Sequence, residues 1–166
     1  MQYDLSLRLP NKRKNTLVAQ NVGVGIWFSV ATSAVSLNGV LDRVAVYDGQ
    51  SSGVLVDQES GTGSNVQVTA VDSIAAGNAS DGFVVQRTGG GTASLVLTRS
   101  TSANNTAAGL RVIGASRFVS LTVGESTITG NGSSWSSSGT LQSYGDNNVI
   151  ANSDGNPAIP TVIRPK

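Results

Sequence analysis

Ten carboxylates, with no histidine and no cysteine, define the reactive chemistry open to this chain. Without imidazole it lacks the usual general base and the commonest metal ligand. Without thiols it can form neither a disulfide nor a thiolate metal site, so the redox compartment is not indicated. What remains is carboxylate chemistry. Two carboxyl groups about 5 Å apart serve a retaining glycosidase, and roughly 6.5–9.5 Å an inverting one. Asp42, Asp48, Asp57, Asp72, Asp81, Asp146 and Asp154 are spread along the chain, and no two acidic residues share an aligned column in neighbouring repeats. Asp57 with Glu59, and Asp48 with Asp81, are the pairs that chance would bring nearest. Gly89-Gly90-Gly91 lacks the Gly-Lys-Ser/Thr of a phosphate loop and any following helix, and reads as a flexible loop. No catalytic, metal or cofactor residues are therefore expected. Trp27, Tyr47 and Tyr144 could stack on sugar rings, which makes them the candidate carbohydrate contacts.

The elements that would position these residues are strands. Charged residues are 13% of the 166 and hydrophobic ones 39%. Gly, Ser, Thr and Asn supply the polar surface, a composition that suits short strands and many turns and disfavours helices, whose solvent faces need Glu, Lys and Arg. The net charge of +1 gives no field to draw nucleic acid or an anionic membrane. No run of 18 apolar residues is present, so no membrane span is expected. Tyr3, Leu5, Leu7 and Leu9 alternate with Asp4, Ser6 and Arg8, which predicts a strand ended by Pro10 rather than a signal peptide. Lys12-Arg13-Lys14 reads as a solvated loop and Thr16–Ala19 as a short strand.

A repeat organises the middle of the chain. Gly53-Val54-Leu55-Val56, Gly82-Phe83-Val84-Val85 and Gly109-Leu110-Arg111-Val112 share a Gly followed by alternating apolar positions. Each is followed by a second apolar segment, then by Ser73, Ser100 or Ser126, then by Asn78, Asn105 or Asn131. A degraded copy over residues 23–49 uses Gly23–Phe28, Val35 and Leu37, with Gly49 in the Asn place. A shortened copy runs from Trp135 to Asn152, with Ser133–Ser138 read as a turn. A period near 27 with β alternation is a solenoid signature.

Stacked coils turn matched residues into columns. Val54, Phe83, Leu110 and Trp135 form one inward stack, and Ala70, Leu97 and Val123 another. Asn78, Asn105 and Asn131 form an amide ladder in a turn that tolerates the left-handed conformation, with Ser73, Ser100 and Ser126 as a companion ladder. The residue before each Ser gives Arg43, Asp72, Arg99 and Glu125, an outward column of alternating charge.

Asp81-Gly82-Phe83-Val84-Val85, Thr98–Leu110 and Ser143-Tyr144-Gly145-Asp146-Asn147-Asn148 resemble the repeats of bacterial right-handed parallel β-helix proteins of the pectate-lyase-like superfamily. The resemblance spans residues 23–155 and implies an all-β fold: a single-stranded right-handed parallel β-helix of about five coils with three short parallel sheets. Residues 1–22 are expected to cap it, and 156–166 to form an extended Pro-rich tail lying across the last copy. The superfamily contains polysaccharide lyases and hydrolases, phage tailspikes and adhesins, many of them exported. The resemblance thus leaves function open. The residues favour a non-enzymatic structural or binding module, with self-association through a coil end or a flat sheet face. The alternative is a glycan-binding or polysaccharide-degrading protein. Its compartment is not indicated.

Overall fold

The computed structural model describes residues 11–159 and 161–164, and every regular element in them is a β-strand. β1 (Asn11–Ala19) precedes five coils. The first holds β2 (Ile26–Val30) and the long β3 (Ser36–Tyr47). The second holds β4 (Val54–Gln58), β5 (Thr62–Val71) and β6 (Ile74–Ala76), and the third β7 (Phe83–Arg87), β8 (Gly90–Thr98) and β9 (Thr101–Ala103). β10 (Ala108–Ile113), β11 (Val119–Gly124) and β12 (Thr127–Thr129) make the fourth. β13 (Ser133–Ser137), β14 (Thr140–Ser143) and β15 (Asn148–Ile150) make the fifth, and β16 (Thr161–Val162) follows. All pairings are parallel between successive coils, giving a β-solenoid.

Three faces result. β2, β4, β7, β10 and β13 form the first. The other strands form one bent sheet, because β3 runs unbroken around a corner: Ser36–Asp42 pair with β5, and Ala45–Tyr47 pair with β6. In later coils the chain breaks at that corner, so the second and third faces carry separate strands.

Register explains the apolar alternation. Ile26, Val54, Phe83, Leu110 and Trp135 share one column, and Leu41, Ala70, Leu97 and Val123 another. All of these but Trp135, which is half-buried, lie in the core. Burying one such side chain contributes roughly 1.5–3 kcal/mol, and neighbouring coils bury one another's. Sizes are matched locally: the Phe28 ring fills the space where a side chain on Gly39 would stand.

Corners use the left-handed conformation repeatedly. Asn15, Arg43, Asp72, Arg99 and Glu125 have φ of 50°, 54°, 51°, 48° and 49°. At the next corner Asp48, Gly77, Asn104, Gly130 and Ala151 do the same. A single L-residue is disfavoured there; stacking repeats the geometry in coil after coil.

Several expectations are corrected. Lys12–Lys14 and Thr16–Ala19 are not a loop and a short strand but parts of the nine-residue β1, which pairs with β3 from Asn11↔Gly39 to Ala19↔Tyr47. Backbone pairing to a ready-made edge outweighs the solvation of the basic side chains. Val35 lies before β3 and is 41% exposed. Ser133–Ser137 is a strand, not a turn, because the β10 edge templates it. Gly90 and Gly91 open β8 rather than forming a flexible loop. A side chain on Gly91 would collide with the Ser64 backbone, so Gly here permits a close approach. The strand expected over Tyr3–Leu9 lies outside the described residues.

Candidate functional site

The polar interior is the most distinctive feature of the molecule. Asn78, Asn105 and Asn131 are fully buried and form a continuous ladder. Asn78 Nδ2 donates to Asn105 Oδ1 at 2.9 Å, Asn105 Nδ2 to Asn131 Oδ1 at 2.9 Å, and Asn131 Nδ2 to Asn152 Oδ1 at 3.0 Å. Each Oδ1 also accepts the backbone N–H of the preceding coil, beginning at Gly49 N. Every amide thus meets the demands of two coils, which a buried polar group requires. Asn152 donates its own N–H and Nδ2 to Asn156 Oδ1, so Asn156 stands in for a sixth coil. The spacing drops to 21 residues at Asn152, which ends the shortened copy, and Asn156 lies beyond the repeat.

A second ladder runs beside it. Val44 N, Ser73 N and Ser100 N donate to Ser73, Ser100 and Ser126 Oγ of the following coils at 3.1–3.2 Å. Each hydroxyl donates in turn to the carbonyl two residues back. In the fifth coil Asn147 Oδ1 takes the Ser place by accepting from Ser126 N.

Arg43, Asp72, Arg99 and Glu125 stand on the outer corner. Arg99 makes two bonds to Asp72, at 2.9 and 3.3 Å. That contact lowers the Asp72 carboxyl below its usual range and raises Arg99. Arg43 turns instead to Asn15 and Asp42. Glu125 donates its backbone N–H to Asp146 Oδ1.

Other carboxylates also act as scaffold. Asp81 accepts the Ala108 N–H and lies 3.4 Å from Arg111. Asp48 lies over Gly77 in its own corner column. Asp81 is bonded to Ala108 and Arg111, and no bond links it to Asp48. Burial works against the charge on Asp154, but bonds from Ser134 N–H, Ser134 Oγ–H and Asn156 N–H outweigh it and lower the carboxyl.

The exception lies on the outside of the first face. Ser29 and Asp57 are cross-strand neighbours there, and Asp57 pairs onward with Gln86. Gln86 Nε2 donates to Asp57 Oδ2 at 2.8 Å and Ser29 Oγ donates to Glu59 at 2.6 Å. Asp57 Oδ1 has no partner and is buried, as is Trp27 Nε1 two positions along on the same face. Burial is the main cause raising the Asp57 carboxyl; the Gln86 bond opposes it and Glu59 adds to it.

The three aromatic candidates are not gathered. Trp27 is on the first face, Tyr47 ends β3 on the third, and Tyr144 follows β14 four coils away, its ring against Gly124. Among the described residues no three His, Cys, Asp or Glu side chains are placed to hold a metal. The void lined by Phe83, Leu97, Leu110, Val123 and Ile128 admits no water.

No family model, curated protein or solved structure matches the chain.

Proposed function

We propose that the chain is a non-enzymatic scaffold or binding module, a short solenoid whose outer columns and ends meet a partner or another copy of itself. One observation carries this reading: five of the carboxylates that could do acid–base work are engaged in holding the coils together, and Asp57 is the exception. Asp42, Asp72 and Asp81 pair with basic side chains, and Asp81, Asp146 and Asp154 cap backbone N–H groups. The test combines light scattering across concentration, a glycan array, and polysaccharide cleavage assays with and without calcium. The scaffold reading expects binding or association without turnover. Turnover that falls in Asp57→Asn or Glu59→Gln would sink it.

A second reading has its own observation. The outward group of Trp27, Ser29, Asp57, Glu59 and Gln86 joins an aromatic ring to hydrogen-bonding side chains. That combination suits a sugar hydroxyl, which both donates and accepts. It supports a carbohydrate-directed protein of pectate-lyase-like fold as the alternative.

A further inference from the structure

The guanidinium groups of Arg87 and Arg117 both lie against the ring of Phe118, with their central carbons 4.2 and 4.6 Å from its centroid. This cluster stands where the first face turns into the second, between the third and fourth coils. Arg87 ends β7, in register with the buried Gln58 of β4. Phe118 closes a tight turn, donating its N–H to Ala115 O, and its own carbonyl accepts from Ala93 N of the coil above. Gly114 (φ 137°) lies beside Arg87, and a β-carbon there would collide with Val119 Cγ2 at 2.7 Å.

The charges here are not balanced. Arg43, Arg99 and Arg111 each pair with an aspartate. Among the described residues neither Arg87 nor Arg117 forms an ion pair. Glu59, in the coil before Arg87, accepts the Ser29 hydroxyl with its carboxylate and the Thr88 hydroxyl with its backbone carbonyl. Arg87 Nε is shut off from water and has no acceptor, so the guanidinium's need for a counter-charge falls on its outer Nη edge. Two like charges on one ring repel each other, and the cation–π attraction offsets only part of that. Arginine forks are suited to sulfate, phosphate and carboxylate oxygens, and the rim of an aromatic ring is itself weakly positive.

We propose that Arg87, Arg117 and Phe118 form an oxyanion-binding site at this corner, taking a sulfate, phosphate or carboxylate group either free or carried on an acidic polymer. Both guanidinium groups already rest on the Phe118 ring, so part of their side-chain ordering precedes binding. The site is separate from the Trp27–Asp57 group on the outside of the first face and does not depend on the scaffold reading.

The test is an NMR titration of the full chain, following the Arg87 Nε–Hε and Phe118 ring signals at constant ionic strength set with chloride. Inorganic sulfate, phosphate and acetate make one arm; a sulfated oligosaccharide and its neutral counterpart make the other. The expected result is a saturable shift with sulfate or phosphate. Affinity should fall about fivefold or more in Arg117→Gln, as expected for loss of one charge-assisted contact, and be unchanged in Arg164→Gln. Tighter binding of the sulfated oligosaccharide than of sulfate assigns the anion to a polymer, and equal binding assigns it to a free ion. A linear, non-saturating response, or one identical in Arg117→Gln, overturns the proposal. Arg87→Lys provides a folded second variant: it keeps the charge and loses the fork, and unchanged binding there also overturns it.

Discussion

At the scale of single residues, Asn105 shows how much one side chain carries. Its Oδ1 accepts from Asn78 N and Asn78 Nδ2, and its Nδ2 donates to Asn131 Oδ1, Ala75 O and Ser102 Oγ. Replacing it with Ala strands two donors of Asn78 in the interior. The expected loss is about 3 kcal/mol, since each buried unsatisfied group costs roughly 1–3 kcal/mol, read by denaturant unfolding. Asp57 predicts the opposite sign at neutral pH. Its folded carboxyl is raised by burial, so the folded state holds its proton more tightly than the unfolded one. Stability from this group is therefore present below the ordinary carboxylate range and is lost as pH rises through the raised value. Asp57→Asn should melt a few degrees higher than the parent at pH 7, and the difference should shrink toward pH 3. A variant less stable at pH 7 and equal at pH 3 would show that the charge is welcome where it sits.

At the scale of elements, the ladder has one gap. Gly49 occupies the Asn column between Asn21 and Asn78 and contributes only its backbone N–H. Its φ is not left-handed, and a β-carbon there would meet side-chain amide oxygens of Asn21 at 2.9 Å and Asn78 at 3.1 Å. Both are ends of side chains that can rotate. Gly49→Asn should therefore join Asn21 to the ladder, the new Oδ1 accepting from Asn21 and the new Nδ2 donating to Asn78 Oδ1, as in the later coils. The expected gain is about 1 kcal/mol, visible as a higher unfolding midpoint; a loss would mean the Asn21 amide cannot turn. The gap was readable, since counting back from Gly53 puts Gly49 in the Asn place. The three central coils were readable for the same reason: equal spacing makes matched residues align. The ends were not. β1 has no copy of the Gly-plus-alternation pattern, and its register places Arg13 and Thr16 opposite the inward Leu41 and Val44. Pairing to β3 makes it a strand, and pairing lies outside local sequence. The left-handed corner at Arg43, Asp72, Arg99 and Glu125 was hidden too, because Arg and Glu are not the residues that signal positive φ. The Arg87–Phe118–Arg117 cluster joins two coils at unmatched positions, so no column pointed to it.

At the scale of the molecule, the two ends are closed differently. At the C-terminal end Asn156 and Asp154 replace the bonds of a missing coil. Ile159 is buried against the core, Pro157 O accepts from Trp135 Nε1, and β16 covers the β14 edge. At the other end β1 covers the second and third faces, with Arg13 at a core-facing register and Lys14 paired to Asp42. Inward or edge charges blunt strand-to-strand association. Arg13→Val with Lys14→Thr should shift the protein toward larger species in concentration-dependent light scattering. Removing residues 153–166 should do the same from the opposite end and lower the unfolding midpoint. An unchanged size distribution in both variants would mean that neither end governs association.

The Asn ladder also has a direction. Each amide points one N–H toward the following coil and its oxygen toward the preceding one, while in Asn105, Asn131 and Asn152 the second N–H turns back to a backbone carbonyl. The strands run across the solenoid axis, and sheets have little net dipole. The side-chain amides instead lie along that axis and add head to tail, as peptide units do in an α-helix. The ladder thus carries a dipole along the solenoid axis that comes from side chains. The Asp154 carboxylate sits near the electropositive end, and basic β1 lies beyond the electronegative one.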